Sequence, residues 1–449
     1  MKIRNFIIVC LFLTISIPSA LAIIYYSKTG FSKAIFSKIP IKTTTPPKAV
    51  PLPKPKVCVF KTIMGEENSD SFFIYKTPES ATSAMTNGLA WMVKAQNNDG
   101  GWGAGSHYSQ DIRDPHAVSS DPATTAMVCM ALLRCDNQYK AGKHATQLQK
   151  GTEFLIAQVN ATPDNQMNIT TLTGTQPQIK LGANIDVVLT SQYLTNLLDH
   201  IQGDAQLNQR VKTSIDKCVK KIQNNQDVAG KTNGGGWAGV LQSSFATNAV
   251  ETAKAKGISV DDVKLDKARD YQKQNMDAST GTSKTEDAAG VVLYSVSSSV
   301  RSSAKETKEV NQAMAKAINE GKISKDAEVN NKTLQQLGYS DSESEKYVAA
   351  YKINEAAKNQ VMREDVMNGF GNNGGEEYLS HLQTGESFVM GRDNGWKKWY
   401  DNVSGKLISA QTQDGSWQGH HCITSPVFCT ATCLLILSIQ NDLDKLAKL

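Results

Sequence analysis

The sequence predicts an all-α protein built from repeated helical hairpins, and three observations carry that prediction. A Gln-to-Trp turn occurs three times, as "AQNNDGGWGAG" (Ala95 to Gly105), "IQNNQDVAGKTNGGGWAG" (Ile222 to Gly239) and "AQTQDGSWQG" (Ala410 to Gly419). Each copy follows an amphipathic segment and precedes a small-residue apolar one, such as "ATTAMVCMALLRC" or "SPVFCTATCLLILSIQ". Weaker copies, "GTEFLIAQ" before "IDVVLTSQYLTNLLDHI" and "KARDYQKQN" before "EDAAGVVLYSVSSSV", fill the intervals. Taking Gln96, Gln158, Gln223 and Gln274 as anchors gives a loose period, which is characteristic of helical repeats joined by variable loops.

The chain begins with a targeting segment. Lys2 and Arg4 precede an apolar run from Phe6 to Tyr26, about the length a bilayer requires. Residues 1–27 therefore read as a signal anchor or a signal peptide, with Ser19 to Ala22 as a small-residue cleavage site in the second case. The expected location is the cell membrane, single-pass, with the globular part outside the cytoplasm, or secreted if the leader is cleaved. Lys28, Lys33 and Lys38 oppose the simple charge rule for that orientation. Residues 28–60 form a Pro- and Lys-rich linker whose stretch "PIKTTTPPKAVPLPKPK" favours extended backbone. Residues 61–449 form the helical domain.

Charge excludes one class of partner. Residues 1–60 hold nine of the 48 Lys and Arg and none of the 43 Asp and Glu, so the remainder is mildly acidic. Nucleic-acid binding requires clustered basic charge, and none is present there. Cysteine spacing gives neither a zinc ribbon nor a complete disulfide framework. Cys129, Cys429 and Cys433 lie among apolar residues and are expected in the core.

Within the turns, glycine permits positive φ and close approach, while Trp102, Trp237 and Trp417 are expected to seal gaps between hairpins, with Gln96 and Gln411 in the same motif. Further along, "SVDDVKLD" (Ser259 to Asp266) reads as a helix start with acids in its first turn. Residues 300 to 365 carry few large apolar side chains and are expected to form thin, exposed hairpins and long loops. Gly374 and Gly375 are expected to open a helix whose first turn holds Glu376 and Glu377. Those two acids, with Tyr378 and His381 beside them and Asp186 next, are the candidate ligand-binding residues.

These motifs resemble the QW repeats of the terpenoid cyclase and protein prenyltransferase superfamily, most clearly at "LAWMVKAQNNDGGWG", "QIKLGANIDVVLTSQYL", "NGGEEYLSHLQTGESFVM" and "WKKWYDNVSGKLISAQTQDGSWQG". The resemblance implies an α/α toroid, here of five to six helical hairpins around a central cavity. It does not by itself imply a reaction. Cyclases of this superfamily use a DxDD acid motif, which the sequence lacks. Its prenyltransferases bind zinc through Asp, Cys and His. The nearest local set is His420, His421 and Cys422, which needs a further group such as Asp186 or Glu376 and otherwise reads as a polar loop. No metal and no cofactor are therefore assigned from sequence. With the fold signal intact and catalytic signatures missing, the expected role is noncatalytic binding or scaffolding, with a hydrophobic, glycan or protein ligand in the cavity. An atypical cyclase or prenyltransferase, or a carbohydrate-active toroid, is the alternative.

Overall fold

A computed structural model describes residues 75–446, apart from positions 137, 369 and 394. These residues lie within one compact unit, Glu66–Leu449. The apolar run and the linker expected from sequence, and Cys58, lie outside the described residues. Among the described residues no single helix is long and apolar enough to cross a membrane. One bent pair, Pro426–Leu437 and Ile439–Leu446 at 59°, matches by length and composition, and its first member is buried throughout.

Six helices are buried on nearly every side over all or much of their length: α2 (Pro122–Asp136), α5 (Ile185–Leu197), α7 (Gly239–Ala255), α9 (Val292–Asn319), α13 (Gly375–Met390) and α15 (Pro426–Leu437). An apolar stripe confined to one face would not produce this; it is the pattern of helices surrounded by other helices. Each packs on the next, α2 on α5, α5 on α7, α7 on α9, α9 on α13 and α13 on α15, and α15 packs back on α2. Outside them lie α1 (Glu79–Lys94), α3 (Ala145–Ala161), α6 (Ala205–Asn224), α8 (Asp262–Lys273), α11 (Asp341–Val361) and α14 (Trp396–Ala410). The outer helices bury one stripe each; in α6 it runs through Leu207, Val211, Ile215, Cys218 and Ile222. The connections between outer and inner helices hold three short helices, α4 (Gln176–Lys180), α10 (Asn331–Gln336) and α12 (Glu364–Asn368). They also hold a two-stranded hairpin, β1 (Met276–Asp277) with β2 (Thr282–Ser283).

The turns that follow α1, α6 and α14 share one construction. Gln96 Nε2 donates to Gly100 O at 2.8 Å and to Gln147 O of α3 at 2.9 Å. Gln226 Nε2 donates to Gly230 O at 3.1 Å and to Lys264 O of α8 at 2.8 Å. Gln411 Nε2 donates to Gly415 O at 2.8 Å and to Ala84 O of α1 at 2.9 Å. The glycine four residues after each Gln has φ of +88°, +98° and +93° in turn. A Cβ there would lie 3.0 Å from Lys150 O, 2.1 Å from Lys267 O and 2.9 Å from Asn87 O. Only glycine accepts both the left-handed backbone and that proximity.

Two residues beyond that glycine, Trp102 and Trp417 are fully buried, and their ring N–H groups donate to Met92 O at 3.0 Å and Leu407 O at 2.7 Å. Space is made for them by Gly151 in α3, where a Cβ would meet Trp102 at 2.9 Å, and Gly88 in α1, where it would meet Trp417 at 2.8 Å. Trp237 breaks the expectation: it is 61% exposed. The residue in the equivalent position is Thr232, and the anchor is Gln226, because Gln223 is bonded to the backbone N–H and C=O of Asp261.

Other sequence expectations fare unevenly. Cys129, Cys429 and Cys433 are buried thiols. Asp261 caps α8 by accepting from Lys264 N, and α13 starts at Gly375. The exposed hairpin expected over 300–365 is formed by the second half of the 28-residue α9 and by α11, joined through a long connection that holds α10, around a small second core of Val310, Met314, Leu334 and Val348. Their apolar residues are sparse because this core is small.

The two kinds of tryptophan separate in a stability measurement. Trp417→Ala should cost about 3–5 kcal/mol in denaturant unfolding, whereas Trp237→Ala should stay within about 0.5 kcal/mol of wild type. Equal losses would contradict the distinction.

Candidate functional site

Four glycine-dependent approaches bring a buried polar cluster together at the N-terminal ends of the inner helices. Gly374 lies so close to the loop before α15 that a Cβ would sit 2.4 Å from His421 O and 2.3 Å from Ile423 O. Gly375 N donates to Ile423 O at 2.9 Å, and Gly419 packs against Gly374 in the same way. On the other side, Ala238 N donates to Lys180 O at 2.8 Å and Gly236 N to Leu181 O at 3.1 Å. A Cβ at Gly236 would meet Ile179 O at 2.3 Å. The three-glycine run thus pairs with residues 180–182, which sets Trp237 beside Lys180 rather than inside the core.

Helix α4 connects these parts. Its capping box, Thr175 with Gln178, fixes its start. Gln176 and Lys180, four residues apart, share one face. Gln176 Oε1 accepts from Thr424 N at 2.8 Å and Ser425 N at 3.0 Å. Lys180 Nζ lies 3.3 Å from Cys422 Sγ and 3.6 Å from Glu376 Oε1. A carboxylate oxygen of Glu376, a ring nitrogen of His421 and Cys422 Sγ all lie within 4.8 Å of one another. Tyr294 Oη donates to Glu376 Oε1 at 3.5 Å, and Ile423 N to Oε2 at 3.3 Å. The Lys180 ammonium stands 5.7 Å from the Trp237 ring centroid and 5.8 Å from that of Tyr294. His107 meets Trp237 edge-on at 5.8 Å, and Tyr108 beside it is exposed.

The electrostatics follow from burial. Burial holds the Glu376 carboxyl above its usual range, although Lys180 and His421 pull it down. Burial and the Glu376 charge push the Cys422 thiol up, with Lys180 opposing them. Burial lowers His107, and Lys180 adds to the effect. Cys422 is 9% exposed and has a left-handed backbone, φ +65°, uncommon for a residue other than glycine. That reversal accompanies the convergence of two neighbouring side chains, His421 and Cys422, on one carboxylate.

Of the ligand-binding candidates chosen from sequence, Glu376 alone enters this cluster. Glu377 faces the preceding loop, where its oxygens accept from Gly371 N and Asn373 N, each at 2.9 Å. Tyr378 donates to Gln418 O at 3.3 Å. His381 is fully buried against Phe370, and burial lowers its pKa to about 3. Asp186 is not brought to Glu376: one oxygen accepts from Ala123 N at the start of α2 and the other from Gln178 and Asn168. It supports α4 from behind. Of the histidine pair, His421 joins the cluster, while the backbone N–H of His420 donates to Asn373 O. Lys180, Gln176 and Tyr294 went unrecognised in the sequence; the available signal was Gln and Lys four residues apart, ahead of the "KLG" turn.

Fold and site together define a class: an all-α protein of paired helices whose inner helix starts bring buried Glu, Lys and Cys side chains together with an exposed His. Residues 74–181 match the family model for the squalene-hopene cyclase C-terminal domain, consistent with the terpenoid cyclase and prenyltransferase superfamily. The match spans Trp102 and Lys180 but not Glu376, His421 or Cys422. No curated protein and no solved structure matches the chain.

Glu377 provides a pH test of its buried role. Burial raises its pKa to about 7 from 4.5, so the folded state binds the proton more tightly than the unfolded state. Its contribution to stability is therefore lost as pH rises from 4.5 through 7. Relative to wild type, Glu377→Gln should gain stability progressively over that interval and level off above it, read from urea unfolding at each pH. A constant difference would show that the carboxyl is not perturbed.

Proposed function

We propose that the helical domain is an α/α toroid of six hairpins, and that Glu376, His421 and Cys422 hold a zinc-type divalent ion at the N-terminal rim of its inner helices. The carrying observation is the convergence of three ligand atoms of the carboxylate, imidazole and thiol types within 4.8 Å. Zinc favours this donor set, and three protein ligands leave a position for substrate, the pattern of catalytic rather than structural sites. The closed succession of helix contacts and the family match support the toroid. A zinc ion there would lower the pKa of a bound water or thiol and so generate a nucleophile near neutral pH.

The chain's own residues have separable tasks in this reading. Tyr294 and Ile423 N orient Glu376. Lys180 already supplies positive charge to the cluster, so a divalent ion competes with its ammonium. Trp237, exposed beside Lys180 and His107, offers a face on which a planar or apolar substrate group can stack. The protein is thereby proposed as a metal-assisted enzyme, in place of the noncatalytic scaffold favoured from sequence. Anchoring of the chain at a membrane through the Phe6–Tyr26 run is part of the same proposal.

Metal analysis of the full chain should find about one zinc per molecule. Cys422→Ser and Glu376→Gln should each reduce it severalfold, Cys422→Ser with little change in melting temperature. Affinity should rise with pH, because the Cys422 thiol, held above its usual range, must lose its proton to bind. A chain that takes up no zinc, or holds it equally well in both variants, returns the function to binding or scaffolding.

A further inference from the structure

The rim cluster contains one contact that metal binding leaves unexplained, a lysine amine beside a cysteine thiol. Lys180 Nζ lies 3.3 Å from Cys422 Sγ, and Glu376 Oε1 stands 3.6 Å from the same nitrogen. Lys180 is 3% exposed and Cys422 9%. A thiol sulfur is a weak acceptor, so the contact gives a buried ammonium little of what it requires. The backbone nevertheless enforces it. Lys180 O accepts from Ala238 N at 2.8 Å, and Gln176 of the same helix accepts from Thr424 N and Ser425 N, just beyond Cys422. Two segments 242 positions apart are thereby held in register with nitrogen against sulfur.

Access sets Cys422 apart from the other described cysteines. Cys129, Cys218, Cys429 and Cys433 are fully enclosed, whereas Cys422 retains some exposure and follows the exposed His420 and His421. Cys135 is half-buried, but its polar neighbours are Ser438 and Arg134, and neither is an amine. Cysteine oxidation follows access, and a small neutral oxidant such as hydrogen peroxide reaches the rim first.

The chemistry open to this pair balances with peroxide as the only added reactant. The Cys422 thiol reduces hydrogen peroxide and becomes a sulfenic acid, releasing one water. A sulfenic sulfur is open to attack by an adjacent nitrogen. Attack by the Lys180 amine forms an S–N bond, breaks the S–O bond and releases a second water. The proton shed by the ammonium passes to the Glu376 carboxylate. Sulfur loses two electrons in all, and the peroxide gains both.

We propose that Lys180 and Cys422 form a modification site, which peroxide closes into a reversible sulfenamide cross-link that removes the thiol from the rim cluster. The bond itself forms without zinc; its consequence, loss of a metal ligand, rests on the metal reading above. The full chain treated with hydrogen peroxide under native conditions should become lighter by two hydrogen atoms. Digestion should yield a linked pair of peptides containing Lys180 and Cys422, and dithiothreitol should restore the starting mass. Lys180→Arg keeps a positive charge beside Glu376 but supplies no amine, and should proceed instead to Cys422 sulfinic acid, heavier by two oxygen atoms. Cys422→Ser should show neither product at this site. Loading with zinc beforehand should slow cross-linking severalfold, and the cross-linked chain should take up no zinc until it is reduced.

A two-hydrogen loss that maps to a pair of cysteines or persists in Lys180→Arg overturns the proposal, as does oxidation of Cys422 in the wild-type chain with Lys180 left free. A link that retains oxygen between sulfur and nitrogen overturns the sulfenamide assignment. If the cross-link forms in a chain that takes up no zinc, the metal reading fails and the modification site stands. If zinc binds without slowing the cross-link, its regulatory consequence is overturned.

Discussion

One glutamine side chain at the end of an outer helix, bonded both to its own turn and to the next outer helix, is the interaction on which the architecture rests. Each amide NH2 group serves two carbonyls, one four residues on and one in α3, α8 or α1. The bonds themselves contribute modestly, about 0.5–1.5 kcal/mol each. Their larger effect is geometric. They require a glycine at positive φ pressed on the neighbouring helix, which leaves room two residues later for a buried Trp at two of the three turns. The third copy joins Gln411 to Ala84, tying α14 to α1 across 327 residues, so the outer helices meet the constraint that the inner helices meet through α15 and α2. Such non-local closure rewards the chain only after long loops have been ordered.

Much of this was legible in the sequence because glycine and tryptophan act locally. The repeated turns, the helix starts at Asp262 and Gly375 and the core cysteines depend on neighbours within a few residues, and pattern reasoning reaches that far. The failures share a different cause. Trp237 was grouped with Trp102 and Trp417 because all three follow glycines, but its Gly run is bonded to residues 180–182 and not to an outer helix. The true counterpart of the buried rings is Thr232, whose N–H is bonded to Ser243 Oγ as Trp102 N is to Thr125 Oγ1. Spacing from Gln to Gly, rather than the presence of Trp, was the reliable mark.

The site was half legible for the same reason. Glu376 was visible as an acid at a helix start, but so was Glu377, and only the fold decides which of two adjacent carboxylates faces the cluster. Asp186, the next candidate from sequence, acts at one remove, accepting from Gln178 of the helix that carries Lys180. Lys180 itself comes 242 positions before Cys422 and in a different helix pair from Glu376, a juxtaposition that closure of the inner helices creates and that local periodicity does not contain.

Burying Lys180 with Glu376 is poor use of a helix start if stability alone is considered. Both side chains are almost wholly withdrawn from solvent, 4% and 0% exposed. Desolvation of such a pair commonly outweighs its mutual attraction, and apolar replacements of similar size are often more stable. The 3.6 Å separation is long for a pair meant to recover that cost, and the Lys180 ammonium is shared with a thiol that burial keeps protonated. A left-handed Cys422 adds backbone strain of about 1–3 kcal/mol at the same point. At the same end α2 and α15 begin with side-chain caps, Asp121 accepting from Thr124 N and Ser425 from Phe428 N. A buried charge pair and a left-handed residue other than glycine thus coincide where carboxylate, imidazole, thiol and amine converge, the combination expected of groups retained for chemistry and not for the integrity of the fold.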